Sequence, residues 1–390
     1  MEQLLRRTWA EIDLDALAYN FHVLQDRVGK EVKVLGVVKA DAYGHGARVL
    51  SRELEALGAG YLAVSNLDEA REIRKAGVKL PILILGYTPP ENTALLMENN
   101  VTQAVVSEDA ARAYSAAAAA AGGTLKIHIK ADTGMSRLGF LCDGEHFDDT
   151  VETVLRVCDL PGLEAEGIFT HFAVSDEPDK ADCVAFTKEQ FGRFTRLIDA
   201  LAARGRTFAL RHCGNSGATV NYYEEMKLDM VRPGIILYGC SEGAEKLGLK
   251  PVMTLKTTIS SVKTLDAGCT VSYGRTYKVE QPTRVGVMPI GYADGFFRTL
   301  SNRCEVMTED GPVPQCGRIC MDMSMVDLTN APNVEVGSEV EIFGKRNSVN
   351  RLADIAGTIS YELTCAVNKR VPRIFLKGGK VVETELRMYL

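Results

Sequence analysis

Lys39 stands at the end of an apolar run and is followed at once by turn-forming residues, in the stretch VVKADAYGHG at positions 37–46. A lysine placed after VLGVV is expected to be partly desolvated, which lowers its pKa from about 10.4 and favours the neutral amine. A neutral amine attacks an aldehyde to form a Schiff base. A molecule held that way needs a grip at its other end, and two later segments offer one. CGNSGAT at 213–219 supplies Asn215 and the Ser216 hydroxyl. RPGIILYG at 232–239 places the amides of Gly234 and Ile235 behind a proline, free to point at an anion.

These residues need a scaffold that brings distant strand ends together. Up to about residue 240, short apolar runs alternate with helix-like segments. The runs VKVLGVVKA, GYLAVS, PILILG, TQAVVS, LKIHIKAD, LEAEGIFTHF, TFALRHCG and KLDMVRPG have the texture of buried parallel strands. Between them, NLDEAREIRKAG carries an asparagine cap, early acids, late bases and a final glycine, and SEDAARAYSAAAAAAGG a serine cap and a glycine stop. Its alanine run, Ala116 to Ala121, is expected to be exposed helix. CVAFTKEQFGRFTRLIDALAARG spaces its apolar residues as a helix does. The fold class is therefore α/β, with an N-terminal (β/α)8 barrel of the TIM type, a fold that takes about 250 residues. An open doubly wound sheet is the rival, weakened because no G-x-G-x-x-G follows the first strand.

Beyond residue 240 the runs LKTTISSVKTL, TVSYGRTYKV, TRVGVMPIG, CEVMTE, MSMVDLT and SEVEIFG are short, β-like and broken by Gly, Pro and Asn. A mostly β C-terminal domain is expected over 244–390, after a barrel over 1–243. RLADIAGTISYELTCAVNKR is expected to contain helix, and the first dozen residues to pair with either domain. In a barrel the chemistry sits where strands end. Lys39 ends the first strand, Lys130 the fifth, His171 the sixth and Arg232 the eighth, while His212, Asn215 and Ser216 follow the seventh. The ligand that fits a rim lysine facing anion-binding loops is a phosphorylated aldehyde, pyridoxal 5'-phosphate.

Composition excludes several classes. A net charge of −6 argues against a nucleic-acid partner, which needs a basic surface. No apolar window approaches the ~18 residues that span a bilayer. The N-terminal stretch MEQLLRRTWAEIDLDAL lacks the apolar core and cleavage site of a signal peptide, so a cytoplasmic location is expected. The ten cysteines follow no framework spacing and suit a reducing compartment as small buried hydrophobes. The close pair Cys316 and Cys320 lacks zinc-site spacing, and no metal is expected.

The motifs also resemble those of the alanine racemases along the whole chain: VVKADAYGHG, TWAEIDLDAL, IKADTGMSRLGF, THFA, HCGNSGA, VRPGIILYG, VSYGRTY, IGYADGFFR, CGRICMD, ISYEL and RVPRIF. The resemblance implies a pyridoxal-phosphate barrel with a C-terminal β domain, paired head to tail as a homodimer whose active sites are shared, and a role in supplying D-alanine for bacterial peptidoglycan. It implies that Lys39 holds the cofactor and acts as one catalytic base, and that Tyr273 is the other base, donated by the partner subunit. It implies that Arg232 faces the pyridine nitrogen with His171 nearby, and that Tyr43, Ser216, Gly234, Ile235 and Tyr361 bind phosphate. Arg137 would contact the cofactor's phenolic oxygen and the substrate carboxylate, steadied by Lys130, often a carbamate in this family. Met321, also donated by the partner subunit, would bind the carboxylate through its amide, and Tyr292 and Asp322 would shape the entrance. Asp41 departs from the pattern, since many relatives carry Asn there, but removes none of these groups.

Two bases on opposite faces suit racemisation, which takes a proton from one face and returns it to the other. Tyrosine needs a nearby cation to act as a base, because only about 0.1% is ionised at pH 7. A line of Tyr273, His171 and Arg232 is expected to provide one. Arg232 beside the ring nitrogen would also disfavour its protonation and shorten the life of the charged intermediate. Taken singly, Tyr273 suits strand packing and His171 a structural hydrogen bond. Alternative functions are a serine or broad-specificity racemase, a basic amino-acid decarboxylase of the same build, and a non-enzymatic cofactor carrier. The decarboxylases should place an acid where Arg232 stands, and a carrier would lack the domain that holds Tyr273.

Overall fold

The computed structural model describes residues 7–386. Residues 1–6, on which the absence of a signal peptide was partly read, lie outside the described residues. The chain divides into two compact units. One takes in Phe21–Ala42 and Ala47–Leu237; the other takes in the N-terminal segment up to Asn20, the short piece Tyr43–Gly46 and the chain from Tyr238 onward.

The first unit is a nearly closed parallel barrel. Its strands, in order, are Lys33–Val37, Tyr61–Val64, Ile82–Ile84, Val101–Val105, Leu125–Asp132, Leu163–Phe169, Leu210–His212 and Met230–Val231. Sequential strands pair in parallel, and the eighth pairs with the first. Between the seventh and eighth, the backbone bonds Asp229 N–Arg211 O at 3.1 Å and Arg232 N–Gly214 O at 2.7 Å complete the ring. The second to fourth strands are buried residue for residue, as a strand covered on both faces must be. Helices alternate with them. Asn66 caps Leu67–Lys75 by accepting from Glu69 N, and Ser107 caps Glu108–Ala120 by accepting from Ala110 N. The alanine run is mostly exposed, but Ala118 faces the barrel, fully buried.

The second unit is built on a seven-stranded sheet. Its strands run in the order Gly311–Pro314, Glu305–Thr308, Glu339–Phe343, Met253–Thr258, Thr8–Asp13, Arg373–Lys377 and Lys380–Glu385. The N-terminal strand pairs antiparallel with Met253–Thr258 and parallel with Arg373–Lys377. A three-stranded sheet of Ser261–Leu265, Thr283–Met288 and Ser324–Asp327 packs Val285 with Val271, Val279 and Cys316. The expected helical insertion is two helices, Val349–Ala356 and Ser360–Cys365. No described helix is long and apolar enough to cross a membrane.

Candidate active site

Several barrel strands deliver a polar residue at or just past their ends. Lys39 follows the first strand directly and is half-buried. The turn it opens is unusual. Ala40, Asp41, Ala42 and Tyr43 all have positive φ, between 50° and 58°, one turn of left-handed helix in residues with side chains. Each such residue costs roughly 1–2 kcal/mol, so neighbours must impose the conformation. Glu69 accepts from Ala40 N at 2.8 Å, and Asp41 accepts from Ala47 N at 2.7 Å. The segment looks like a plain turn in sequence and is instead a strained pedestal beneath the lysine.

Arg232, just past the eighth strand, is buried and hydrogen-bonded through both terminal nitrogens. Its Nη2 donates to Thr170 O at 2.7 Å, to Cys213 O at 3.1 Å and to His171 Nδ1 at 3.4 Å, and Nη1 donates to His212 Nδ1 at 2.9 Å. Burial lowers its guanidinium to about 10, so it stays charged at neutral pH. It also stands over the Phe169 ring, 5.4 Å from the centroid, and Lys130 Nζ lies 5.1 Å from the same centroid.

Lys130 and His171 respond to the same crowd of cations. Burial, with Arg232 and Arg137 adding to it against Asp132, pushes the Lys130 amine down to about 7. Burial, and then the charges of Arg232, Lys130, Arg137 and Lys39, hold His171 well below the usual histidine value. His171 is therefore neutral, and because its Nδ1 accepts from arginine, its Nε2 carries the proton.

Arg137 sits in the exposed loop after the fifth strand. Asp132 shapes that loop by accepting from Gly134 N and Ser136 N, both at 3.0 Å. Gly139 closes it at φ 126°, where a Cβ would meet Lys130 O at 2.6 Å. In the segments expected to bind an anion, Gly234 N donates to Ser216 Oγ at 3.0 Å. Ser216 begins a helix capped by Asn215, whose Oδ1 accepts from Ala218 N at 3.0 Å and from Ser175 Oγ at 2.7 Å. Ile235 is buried beside Gly234.

The other unit holds the remaining expected residues. Tyr43 packs against Tyr361 at 5.8 Å and Tyr238 at 5.3 Å between ring centroids. Burial, with Tyr361 next in effect, raises the Tyr43 phenol, so its hydroxyl remains a donor. Tyr273 is 71% exposed, between the two-residue strands Thr270–Val271 and Tyr277–Lys278. Ser272 before it has φ 66° and donates to Arg318 O at 2.6 Å. Tyr273, Met321, Asp322 and Met323 line a surface concavity of about 620 Å³. Asp322 pairs with Arg370 at 2.8 Å, and Tyr292 is half exposed in the adjacent turn.

Sequence reasoning passed over three residues. His128 and Glu166 lie inside the barrel, and Asp132 organises the Arg137 loop. The fifth strand did carry a signal. Lys126, His128, Lys130 and Asp132 alternate with Leu125, Ile127, Ile129 and Ala131, and a two-residue period sets one polar face along a buried strand.

The chemistry of the donor set fits pyridoxal phosphate. A half-buried lysine, a buried guanidinium whose partners are neutral, and an amide–hydroxyl pair at a helix start are the groups that an aldehyde, a ring nitrogen and a phosphate require.

The chain is similar to known proteins along nearly its whole length. Residues 12–242 match the family described as "Alanine racemase, N-terminal domain", and residues 252–375 match "Alanine racemase, C-terminal domain". Curated relatives named "Alanine racemase" include one from Desulfovibrio desulfuricans, 44% identical over 95% of this chain and 99% of its own. Another, from Clostridium perfringens, is 44% identical over 98% of this chain and 99% of its own. The solved alanine racemase of Clostridium difficile 630 superposes with a TM-score of 0.92 at 35% identity, covering 99% of this chain and all of that one.

Proposed function

The chain belongs to the alanine racemase family, and we propose that it works with pyridoxal 5'-phosphate on Lys39 and with Tyr273, supplied by a second copy of the chain, as the opposing base. Its activity is an isomerase reaction, the interconversion of L- and D-alanine. The observation that carries the proposal is the buried Arg232 at the end of a barrel strand, which among the described residues donates only to uncharged acceptors.

The bound cofactor supplies a conjugated ring over which charge left by the departing α-proton spreads. The rest is work for this chain. Lys39 Nζ moves the proton on one face, and the Tyr273 phenol moves it on the other. His171 offers its Nε2–H toward the phenol oxygen and so favours the ionised form, with Arg232 behind it as the cation. Arg232 donates to the ring nitrogen rather than protonating it. Ser216, Gly234 and Ile235 bind phosphate, and the resemblance adds Tyr43 and Tyr361. Asn215 holds Ser216 in place. Arg137 takes the substrate carboxylate, steadied by Lys130, and the amide of Met321 from the second copy adds another donor. Tyr292 and Asp322 border the approach. The reading further includes a homodimer with shared sites, a cytoplasmic location and a supply of D-alanine for cell-wall precursors.

Incubation of purified protein with L-alanine, with and without added pyridoxal phosphate, tests this. Optical rotation is expected to decay to zero, faster with cofactor. Retained rotation would refute the reading, and carbon dioxide release from basic amino acids would favour the decarboxylase alternative.

A further inference from the structure

Arg232 is the top of a hydrogen-bonded chain that descends through the barrel interior. His212 on the seventh strand accepts from Arg232 at Nδ1. Its Nε2 lies 2.9 Å from Nδ1 of His128 on the fifth strand. Nε2 of His128 lies 3.3 Å from Oε2 of Glu166 on the sixth. Tyr61 donates to the same oxygen at 2.8 Å, and Lys126 donates to Oε1 at 3.2 Å. Tyr61 is tied in turn to Thr102 at 2.7 Å. Arg232 stands at the carboxyl ends of the strands, whereas Tyr61 begins its strand, so the chain runs from the rim toward the opposite end.

The chain has one direction, and elementary chemistry fixes it. Arginine only donates, so His212 Nδ1 bears no proton and Nε2 does. His212 therefore donates to His128, and His128 Nε2–H must donate onward. A carboxylate at 166 is the acceptor that closes the sequence. Both imidazoles are fully buried. Burial holds both below their ordinary values, against the opposing pull of Glu166 on His128 and with the charge of Arg232 adding to it, so each is neutral with a single proton to place. The hydrogen bond from His128 leads the causes that keep Glu166 down at about 2, hence ionised.

The backbone reserves room for this arrangement. Gly167 stands beside His128 in the strand register. A Cβ there would lie 2.7 Å from Cε1 and Nε2 of the imidazole. The Phe169 ring stacks on His212 with centroids 4.9 Å apart and planes 1° from parallel. Neither ring can swing away to exchange its nitrogens without repacking.

We infer that Glu166 is a positioning residue for the reaction: through His128 and His212 it fixes the tautomer that presents a bare nitrogen to Arg232, and so holds the guanidinium in place from the far end of the barrel. Without an acceptor at 166, His128 gains by moving its proton to Nδ1. His212 must then receive at Nε2 and carry its proton on Nδ1, which sets N–H against N–H at Arg232. The role in catalysis rests on the proposed function; the tautomers do not.

The test uses the full chain labelled with ¹⁵N-histidine, unloaded and cofactor-loaded, alongside steady-state kinetics per cofactor-loaded active site. Long-range proton–nitrogen spectra of the wild type are expected to show His128 and His212 neutral with the proton on Nε2. In Glu166→Leu both signatures shift, kcat falls at least tenfold, and KM for alanine changes less than threefold. Glu166→Gln keeps a carbonyl acceptor, so it retains the Nε2–H tautomers and restores most of kcat. A merely structural glutamate would lower the melting temperature and leave tautomers and kcat per folded site alone. The inference is overturned if wild-type His212 carries its proton on Nδ1, a result that needs no variant to fold. It is overturned equally if Glu166→Leu leaves the tautomers unchanged, or alters them with kcat within twofold. Absence of racemisation by the wild type would sink the functional reading instead, while the spectra still decide whether Glu166 sets the tautomers.

Discussion

Arg232 Nη2 and His171 Nδ1 stand 3.4 Å apart, an arginine donating to a neutral histidine. Every hydrogen-bond acceptor of Arg232 among the described residues is uncharged. The site therefore keeps an unspent cation in a buried position, where water screens it little. Replacing it by an acid, Arg232→Glu, would remove that charge and set a carboxyl group where a bound ring nitrogen would be held, favouring its protonated form. Racemisation is expected to fall on the order of 10²-fold, and transamination measured as pyruvate formed per racemisation event to rise. An unchanged ratio would remove the argument.

Tyr273 is exposed, so its ring contributes little to the stability of its own unit. Tyr273→Phe is expected to melt within about 2 °C of the wild type while kcat falls roughly 10²- to 10⁴-fold. In deuterated water the variant should still exchange the α-proton of one enantiomer and lose exchange for the other. Equal exchange from both would show that Tyr273 is not the base on the second face.

Lys130 gives stability a defined pH dependence. Its amine is near 7 in the folded chain and near 10.5 when unfolded. Between those values the unfolded chain binds one proton more, so this residue makes stability rise with pH through that window and is most unfavourable below it. Lys130→Met should flatten the rise, by up to a few kcal/mol in urea titrations at pH 7 and 10. The neutral amine is also ready to take up carbon dioxide, and neighbouring Arg137 and Arg232 would stabilise the resulting anion. With ¹³C-bicarbonate at pH 8, a carbamate resonance is expected in the wild type and not in the variant.

Asp294 is fully buried between two arginines, with Arg370 Nε at 2.7 Å and Arg7 Nη1 at 3.1 Å, and it accepts from Gly291 N at 2.9 Å. Removing the carboxylate strands these donors beside Asp322, which Arg370 also holds. Asp294→Ala should cost about 1–3 kcal/mol in denaturant unfolding and raise KM for alanine more than it lowers kcat, because it loosens the turn that carries Tyr292. A KM that tracks the wild type would separate this cluster from substrate entry.

The rim of the barrel was legible because each strand is short, apolar and closed by a polar residue, a pattern that survives in one dimension. Lys39, His171 and Arg232 follow their strands as the runs placed them, whereas Lys130 lies two residues inside the end of its strand, which runs on to Asp132. The left-handed turn after Lys39 was not legible, since Ala40, Asp41 and Ala42 have no intrinsic preference for positive φ and only their contacts impose it. The strand Gly311–Pro314 was hidden by its two prolines, which edge strands tolerate. Glu166 was invisible for another reason: its partners lie on other strands, and a shift in the parallel register, which pairs Ile127 with Ala165 and His128 with Gly167, leaves it between them and within reach of His128. Asp294 and Arg7, 287 residues apart, meet through the same kind of long-range closure.

The most direct measurement is reduction of the cofactor-loaded protein with borohydride, followed by peptide mapping. The account predicts a stable pyridoxyl label on Lys39, in the peptide that contains VVKADAYGHG, and a matching loss of activity. A label on any other lysine, or none, would contradict it.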